Sequence, residues 1–138
     1  MTPFHLAFPV GDLGETRRFH GDVLGCTLGR FSDTWVDFGL FAHQLSAHLR
    51  TEMKPPADTG KVDGTAVPIP HFGVVLAMAD WRALAGRLEA SQDIDWVLKP
   101  QIRFEGEPGE QATLFVRDPS DNALEFKGFA DMTKVFAA

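Results

Sequence analysis

The alternation of apolar and polar positions divides the chain into short strands and two helices, set out twice in the same order. Between Phe4 and Pro9, Phe4, Leu6 and Phe8 share one face and His5 and Ala7 the other, which predicts a strand. Asp12 follows as an N-cap, and Glu15 three positions on completes a capping box. The helix it opens carries Leu13, Thr16, Phe19, Val23 and Leu24 near helical spacing, and Gly25 suits its left-handed end. Three strands are predicted next, over 27–31, 35–40 and 44–49. The stretch from Arg50 to Pro70 is rich in Pro, Gly, Lys and Asp. It reads as a linker or mobile loop, longer than connections inside compact domains usually are.

The second half repeats the pattern. A strand is predicted from His71 to Leu76, and Asp80 is read as the cap of a helix from Trp81 to about Ala90, with Trp81, Leu84, Ala85 and Leu88 as its apolar stripe. Strands over 96–104, 112–117 and 123–129 complete it, the last two joined by the turn Asp118-Pro119-Ser120-Asp121-Asn122. The expected class is α+β, with two βαβββ modules in a single domain. The first module covers about 3–50, a linker 51–69, the second module about 70–129 and a tail 130–138.

Composition narrows the function classes. With 138 residues and 44% hydrophobic content, including 12 Phe, the chain is globular. A net charge of −6 without a basic cluster argues against nucleic acid as a partner. Cys26 is alone, so no intrachain disulfide forms and a reducing compartment is expected. No apolar run approaches the roughly 20 residues that span a bilayer. The N-terminus lacks the basic-then-apolar pattern of a signal peptide. A soluble, cytoplasmic protein without a membrane partner is the expectation.

Laying one half on the other sets His5 opposite His71, near the start of each first strand, and Gln44 opposite Glu125 in each last strand. Leu124 and Phe126 belong on the helix side, so Glu125 faces away from it. Leu45, Ala47 and Leu49 likewise leave Gln44, Ser46 and His48 on the opposite face, and Phe72, Val74 and Leu76 leave His71 there. Two neutral imidazoles and a carboxylate suffice for a divalent first-row metal with open positions, and Gln44 adds a neutral oxygen. No close HxH or CxxC spacing marks the site; the repeated placement does. The alternative is two ordinary sheet histidines satisfied by carbonyls, but a carboxylate on that face is costly to bury without a cation or donors. His48 is read as an acid–base group or a solvated strand-end residue. His20 and His43 are expected to face elsewhere. Arg117 is read as a contact to an anionic group or as a surface salt bridge, and Arg103 with Glu105, Glu107 and Glu110 as a charged hairpin.

The βαβββ order twice over, the Gly21-Asp22-Val23-Leu24-Gly25 helix end and the Asp118–Asn122 turn before Glu125 resemble the vicinal oxygen chelate superfamily. That superfamily includes glyoxalase I, type I extradiol dioxygenases and bleomycin-type resistance proteins. The resemblance runs from Pro3 to about Phe129 and is nearest to short extradiol-dioxygenase-like proteins. It implies a cup-shaped mixed β-sheet with helices on the outer face, enclosing a divalent metal. His5, His71 and Glu125 match the dioxygenase ligands, and His5, Gln44, His71 and Glu125 those of glyoxalase I. Phe115 stands where the dioxygenases carry a Tyr, and the chain has no Tyr at all. The implied function is a metal-dependent, extradiol-dioxygenase-like enzyme on a small substrate with neighbouring oxygens, with Fe(II) favoured over Ni, Zn or Mn. A glyoxalase I-like isomerase or lyase, in which Glu125 also moves a proton, and a metal-free drug- or metabolite-binding protein are the alternatives. A homodimer is expected.

Overall fold

The computed structural model describes residues 2–50, 52, 57–62 and 64–137. The described residues fall into two compact units, one of residues 1–55 with Asp118–Asn122, the other of the remaining residues. In the first, β1 (His5–Val10), α1 (Leu13–Arg17), β2 (Thr27–Phe31), β3 (Trp35–Leu40) and β4 (His43–Leu49) follow in order. Their sheet has the order β1-β4-β3-β2, with β1 parallel to β4 and the other neighbours antiparallel. In the second, β5 (Ala57–Val62) and β6 (Thr65–Ile69) form a hairpin. There follow β7 (Phe72–Ala77), α2 (Met78–Ala90), β8 (Asp95–Arg103), β9 (Gln111–Arg117) and β10 (Ala123–Phe129). Their order β7-β10-β9-β8, with β7 parallel to β10, repeats the first sheet strand for strand. The architecture is α+β, two mixed-sheet βαβββ modules, as the pattern predicts.

The differences have local causes. Within the predicted linker of residues 51–69, β5 and β6 pair with each other; residues 51, 53–56 and 63 lie outside the described residues. Turn-rich composition hid a hairpin that is held by backbone pairing and by Val67, which packs with Leu98 and Phe115. Asp12 caps α1 as expected, accepting from the Glu15 amide at 2.8 Å. After Arg17 the helix widens into a π-helical turn over Arg18–Val23, closed by the Leu24 amide on the Phe19 carbonyl at 2.9 Å. Asp80 does not cap α2: β7 runs straight into the helix, whose N-cap is Ala77, and Asp80 sits in the first turn, where its charge suits the helix dipole.

His20, expected to play no part, is the polar centre of the first unit. It is fully buried, with ring centroids 5.4, 5.2 and 5.3 Å from those of Phe8, Phe19 and Phe38. Its Nε2 lies 3.2 Å from Asp118 Oδ2, and Nδ1 has no partner among the described residues. The Asp118 carboxylate also accepts from the amides of Ser120 and Asn122 at 2.9 and 2.8 Å and from Asn122 Nδ2 at 3.0 Å. Asn122 Nδ2 in turn donates to the Pro9 carbonyl at 2.8 Å, and the Gly11 amide donates to Ser120 Oγ at 2.9 Å. One buried carboxylate thus gathers a turn and an imidazole into a single polar cluster. Asp118→Ala strands the donors of that cluster, and a loss of about 3 kcal/mol is expected by urea denaturation. A loss under about 1 kcal/mol would show that the turn holds without it.

Candidate metal centre

In the second unit the site is aimed by the back of β10. Leu124 and Phe126 are fully buried, the Trp81 indole donates to the Phe126 carbonyl at 2.9 Å, and its ring occupies the space beside Gly128. A Cβ on Gly128 would stand 2.7 Å from the indole, so α2 seats here only against glycine. Strand alternation then sends Glu125, Lys127 and Phe129 out of the opposite face. Across from Glu125 lies Gly73. A Cβ there would collide with the Glu125 carbonyl oxygen, so this close strand approach also requires glycine. His71 precedes β7 by one residue rather than beginning it, two positions before Gly73 and on the same side.

His71 Nε2 stands 3.2 Å from Glu125 Oε2. Each partner is held from behind. His71 Nδ1 donates to the Pro68 carbonyl at 2.8 Å, and the Phe115 ring meets the imidazole edge-on, centroids 4.8 Å apart. Thr113 Oγ1 donates to Glu125 Oε1 at 2.9 Å. With the proton on Nδ1, a neutral imidazole turns its Nε2 lone pair toward a carboxylate lone pair. Two acceptors face each other, and Glu125 is only 8% exposed. That arrangement calls for a positive charge, either a second ring proton or a cation. Ligand atoms about 2.0–2.2 Å from one first-row ion at roughly right angles stand about 3 Å apart, so the pair fits two neighbouring positions of one coordination shell. Hydrogen bonds to the far atoms of both ligands are the supporting contacts that metal-binding His and carboxylate residues use.

The first unit holds a second pair. His5 Nδ1 lies 2.8 Å from Gln44 Oε1, its register partner in β4. With the amide oxygen facing the ring, Nδ1 carries the proton and Nε2 is left as the ligand atom. Along the same face, Ser46 donates to Asp37, both buried, and His48 lies between Pro9 and Trp35. His48 borders a cavity of about 260 Å³ with Ala7, Phe8, Pro9 and Arg50. His43 Nδ1 accepts from the Phe4 amide at 2.9 Å, a structural role.

Of the expected ligands, then, His71 meets Glu125 and His5 meets Gln44, each pair inside its own unit. Among the described residues no group of three or more His, Cys, Asp or Glu side chains gathers to hold an ion. Thr113, Phe115 and Pro68, which hold the second pair, were not assigned these roles from sequence. Thr113 and Phe115 were legible as even-numbered steps from Arg117 along β9; the Pro68 contact, made by a carbonyl, had no side-chain signature. Arg117 pairs with Asp95 at 3.7 Å, the salt-bridge reading.

No family model matches the chain, and no curated protein resembles it in sequence. Solved structures do. The chain is 29% identical to a glyoxalase/bleomycin resistance protein/dioxygenase from Alicyclobacillus acidocaldarius, with a TM-score of 0.78 over 98% of this chain and 96% of that one. A glyoxalase/dioxygenase from Nostoc punctiforme shares the fold at 14% identity, with a TM-score of 0.68 over 94% and 92%. So does the fosfomycin resistance protein FosX from Listeria monocytogenes, at 12% identity, with a TM-score of 0.66 over 93% of each chain.

Gly73→Ala is expected to push β7 from β10 and lower stability by about 2 kcal/mol. Backbone amide shifts in an NMR spectrum should concentrate around His71 and Glu125. A folded variant with both unchanged would show that the strand approach does not set the pair.

Proposed function

We propose that this chain, whose fold is that of the vicinal oxygen chelate superfamily, is a metal-dependent enzyme on a small substrate with two neighbouring oxygens, extradiol-dioxygenase-like in type. The observation that carries the reading is the His71–Glu125 pair, Nε2 and Oε2 3.2 Å apart with both far atoms already hydrogen-bonded. His71 and Glu125 would hold the ion, Fe(II) before Ni, Zn or Mn, with His5 and Gln44 completing the set. When bound, the cation supplies Lewis acidity, stabilising an oxyanion on the substrate as charge develops.

The protein's own groups divide the remaining work. The Pro68 carbonyl and the Phe115 edge keep the His71 ring from turning. Thr113 holds one carboxylate oxygen of Glu125, leaving the other to bind or to take a proton. His48 is assigned as a proton carrier on the face of the first sheet shared with Gln44. Phe115 brings packing and no hydroxyl, so proton transfer falls to Glu125 and His48.

A second reading, a glyoxalase I-like isomerase, is favoured by Gln44 beside His5. We also propose a homodimer, and the mixing experiment below reads out whether a site draws its ligands from one chain or from two.

Elemental analysis after anaerobic purification tests the reading. Near-stoichiometric metal is expected, falling at least ten-fold in His71→Ala and in His5→Ala, and binding of none under any loading condition would leave a metal-free binding protein. Mixing His5→Ala with His71→Ala copies should restore about a quarter to a half of the sites if two copies share them; no restoration places each site within one chain. His48→Ala should keep its metal and lose turnover. Oxygen uptake with catechols under Fe(II), set against hemithioacetal isomerisation under Ni(II), separates the two enzyme readings.

A further inference from the structure

The first sheet carries a buried carboxylate that no role above uses. Asp37 of β3 is 8% exposed and Ser46, its register partner in β4, is 6% exposed; the Ser46 hydroxyl donates to Asp37 Oδ1. No hydrogen bond or ion pair reaches Oδ2 among the described residues. Of those residues, the fully covered side-chain atoms without a partner are Arg17 Nε and His20 Nδ1, so the little surface that Asp37 keeps includes Oδ2. A Cβ on Gly29 of β2 would stand 3.1 Å from Asp37 Cβ, so β2 brings no side chain over the carboxylate at this point. Arg30, next along β2, makes no ion pair among the described residues. The titratable side chains in the rows on either side are His5, in the row of Gln44, and His48, in the row of Trp35.

A buried carboxylate with one neutral donor is costly to keep ionised, and the cost falls when its bare oxygen gains a proton or a donor. Ser46 has one proton and spends it on Oδ1, so the pair offers acceptors only to whatever approaches Oδ2. A ligand group that fits carries an O–H or N–H; a carbonyl or a carboxylate would meet lone pairs. The second unit holds its own carboxylate in the same manner, with Thr113 on Glu125 Oε1 and Oε2 turned to His71 at the border of a cavity of about 400 Å³.

Position along the strands decides what the bare oxygen serves. Side chains on one face recur every second residue, about 6.6 Å apart. Asp37 and Ser46 form the row next to Gln44 and His5, whereas His48 stands two rows, about 13 Å, from Gln44. Of the proton carriers assigned above, Glu125 has one oxygen held by Thr113 and the other facing His71, and His48 is the farther from the His5–Gln44 pair.

We propose that Asp37 is a proton acceptor for the substrate. A substrate hydroxyl beside a second oxygen donates to Oδ2; its O–H bond breaks, the proton passes to the carboxylate, and the electron pair stays on the substrate oxygen as an oxyanion. Asp37 is left as a carboxylic acid. Ser46 is a positioning residue, occupying Oδ1 so that Oδ2 is the oxygen left for the substrate. The role rests on the function proposed above, because the oxyanion needs the cation to stabilise it.

Metal content is measured first, and infrared difference spectra are then taken as the metal-loaded protein binds catechol without oxygen, or hydroxyacetone in its place. A new protonated-carboxyl stretch is expected. It should move when aspartate is ¹³C-labelled at the side-chain carboxyl, stay when glutamate is, and vanish in Asp37→Asn. Calorimetry in buffers of different ionisation enthalpy should count one fewer proton released per catechol by the unmodified protein than by Asp37→Asn. Turnover of the variant should fall roughly a hundred-fold with its metal content unchanged. A band that follows glutamate, or no band in protein that binds either compound, overturns the role of Asp37 and leaves the metal centre standing. Loss of metal from folded Asp37→Asn also overturns it, by making Asp37 a ligand. If the variant does not fold, the isotope shift in the unmodified protein decides. Protein that loads no metal, or that binds neither compound when loaded, removes the proposed enzyme and this role with it.

Discussion

Everything on the working face of the second unit depends on how the Trp81 indole seats against Gly128 and bonds the Phe126 carbonyl. That contact commits one side of β10 to the helix. Because side chains alternate, it also commits Glu125, Lys127 and Phe129 to the other. A slip of one residue would bury a lysine under α2 and turn Phe126 outward, so the register is set by a large apolar penalty rather than by anything at the site itself. The chemistry is a by-product of the packing behind it.

Much of this was legible in the chain. Alternation in Ala123–Phe129 fixed the outward set, the Asp12 cap marked the first helix, and strands 27–31, 35–40 and 123–129 fall where their apolar pattern places them. Setting one half on the other gives His5 and His71 equivalent places, Gln44 and Glu125 likewise, with all four on the face turned from the helices; that each histidine meets the last-strand residue of its own unit emerges only from the parallel pairing of first and last strands. Less legible was whatever depends on backbone atoms or on partners distant in sequence. The Pro68 carbonyl behind His71 has no side-chain signature. His20 and Asp118 lie 98 positions apart, and neither residue type announces a buried pair. The hairpin of β5 and β6 escaped because glycine, proline and aspartate there weigh toward turns and outweigh the apolar signal of Val67.

The two units solve one packing problem with different polar fillings. In the first, a buried imidazole and carboxylate are enclosed by aromatic rings and spent on structure. In the second, an imidazole and a carboxylate meet at the edge of an open cavity with their outer atoms tied down. The difference lies in access: His20 is wholly covered, whereas the side chain of His71 keeps 23% of its surface. The same two residue types are thereby a structural pin in one place and a candidate ligand pair in the other.

The contact between His71 and the Pro68 carbonyl also couples two equilibria. A docked hairpin keeps the proton on Nδ1 and the lone pair on Nε2; an undocked one frees the ring to take either tautomer. Whatever positive charge Nε2 attracts must therefore tighten the hairpin by the same free energy with which the hairpin tightens its hold on that charge. Hydrogen exchange along Thr65–Ile69 would then be slowed by an ion that none of those residues touches.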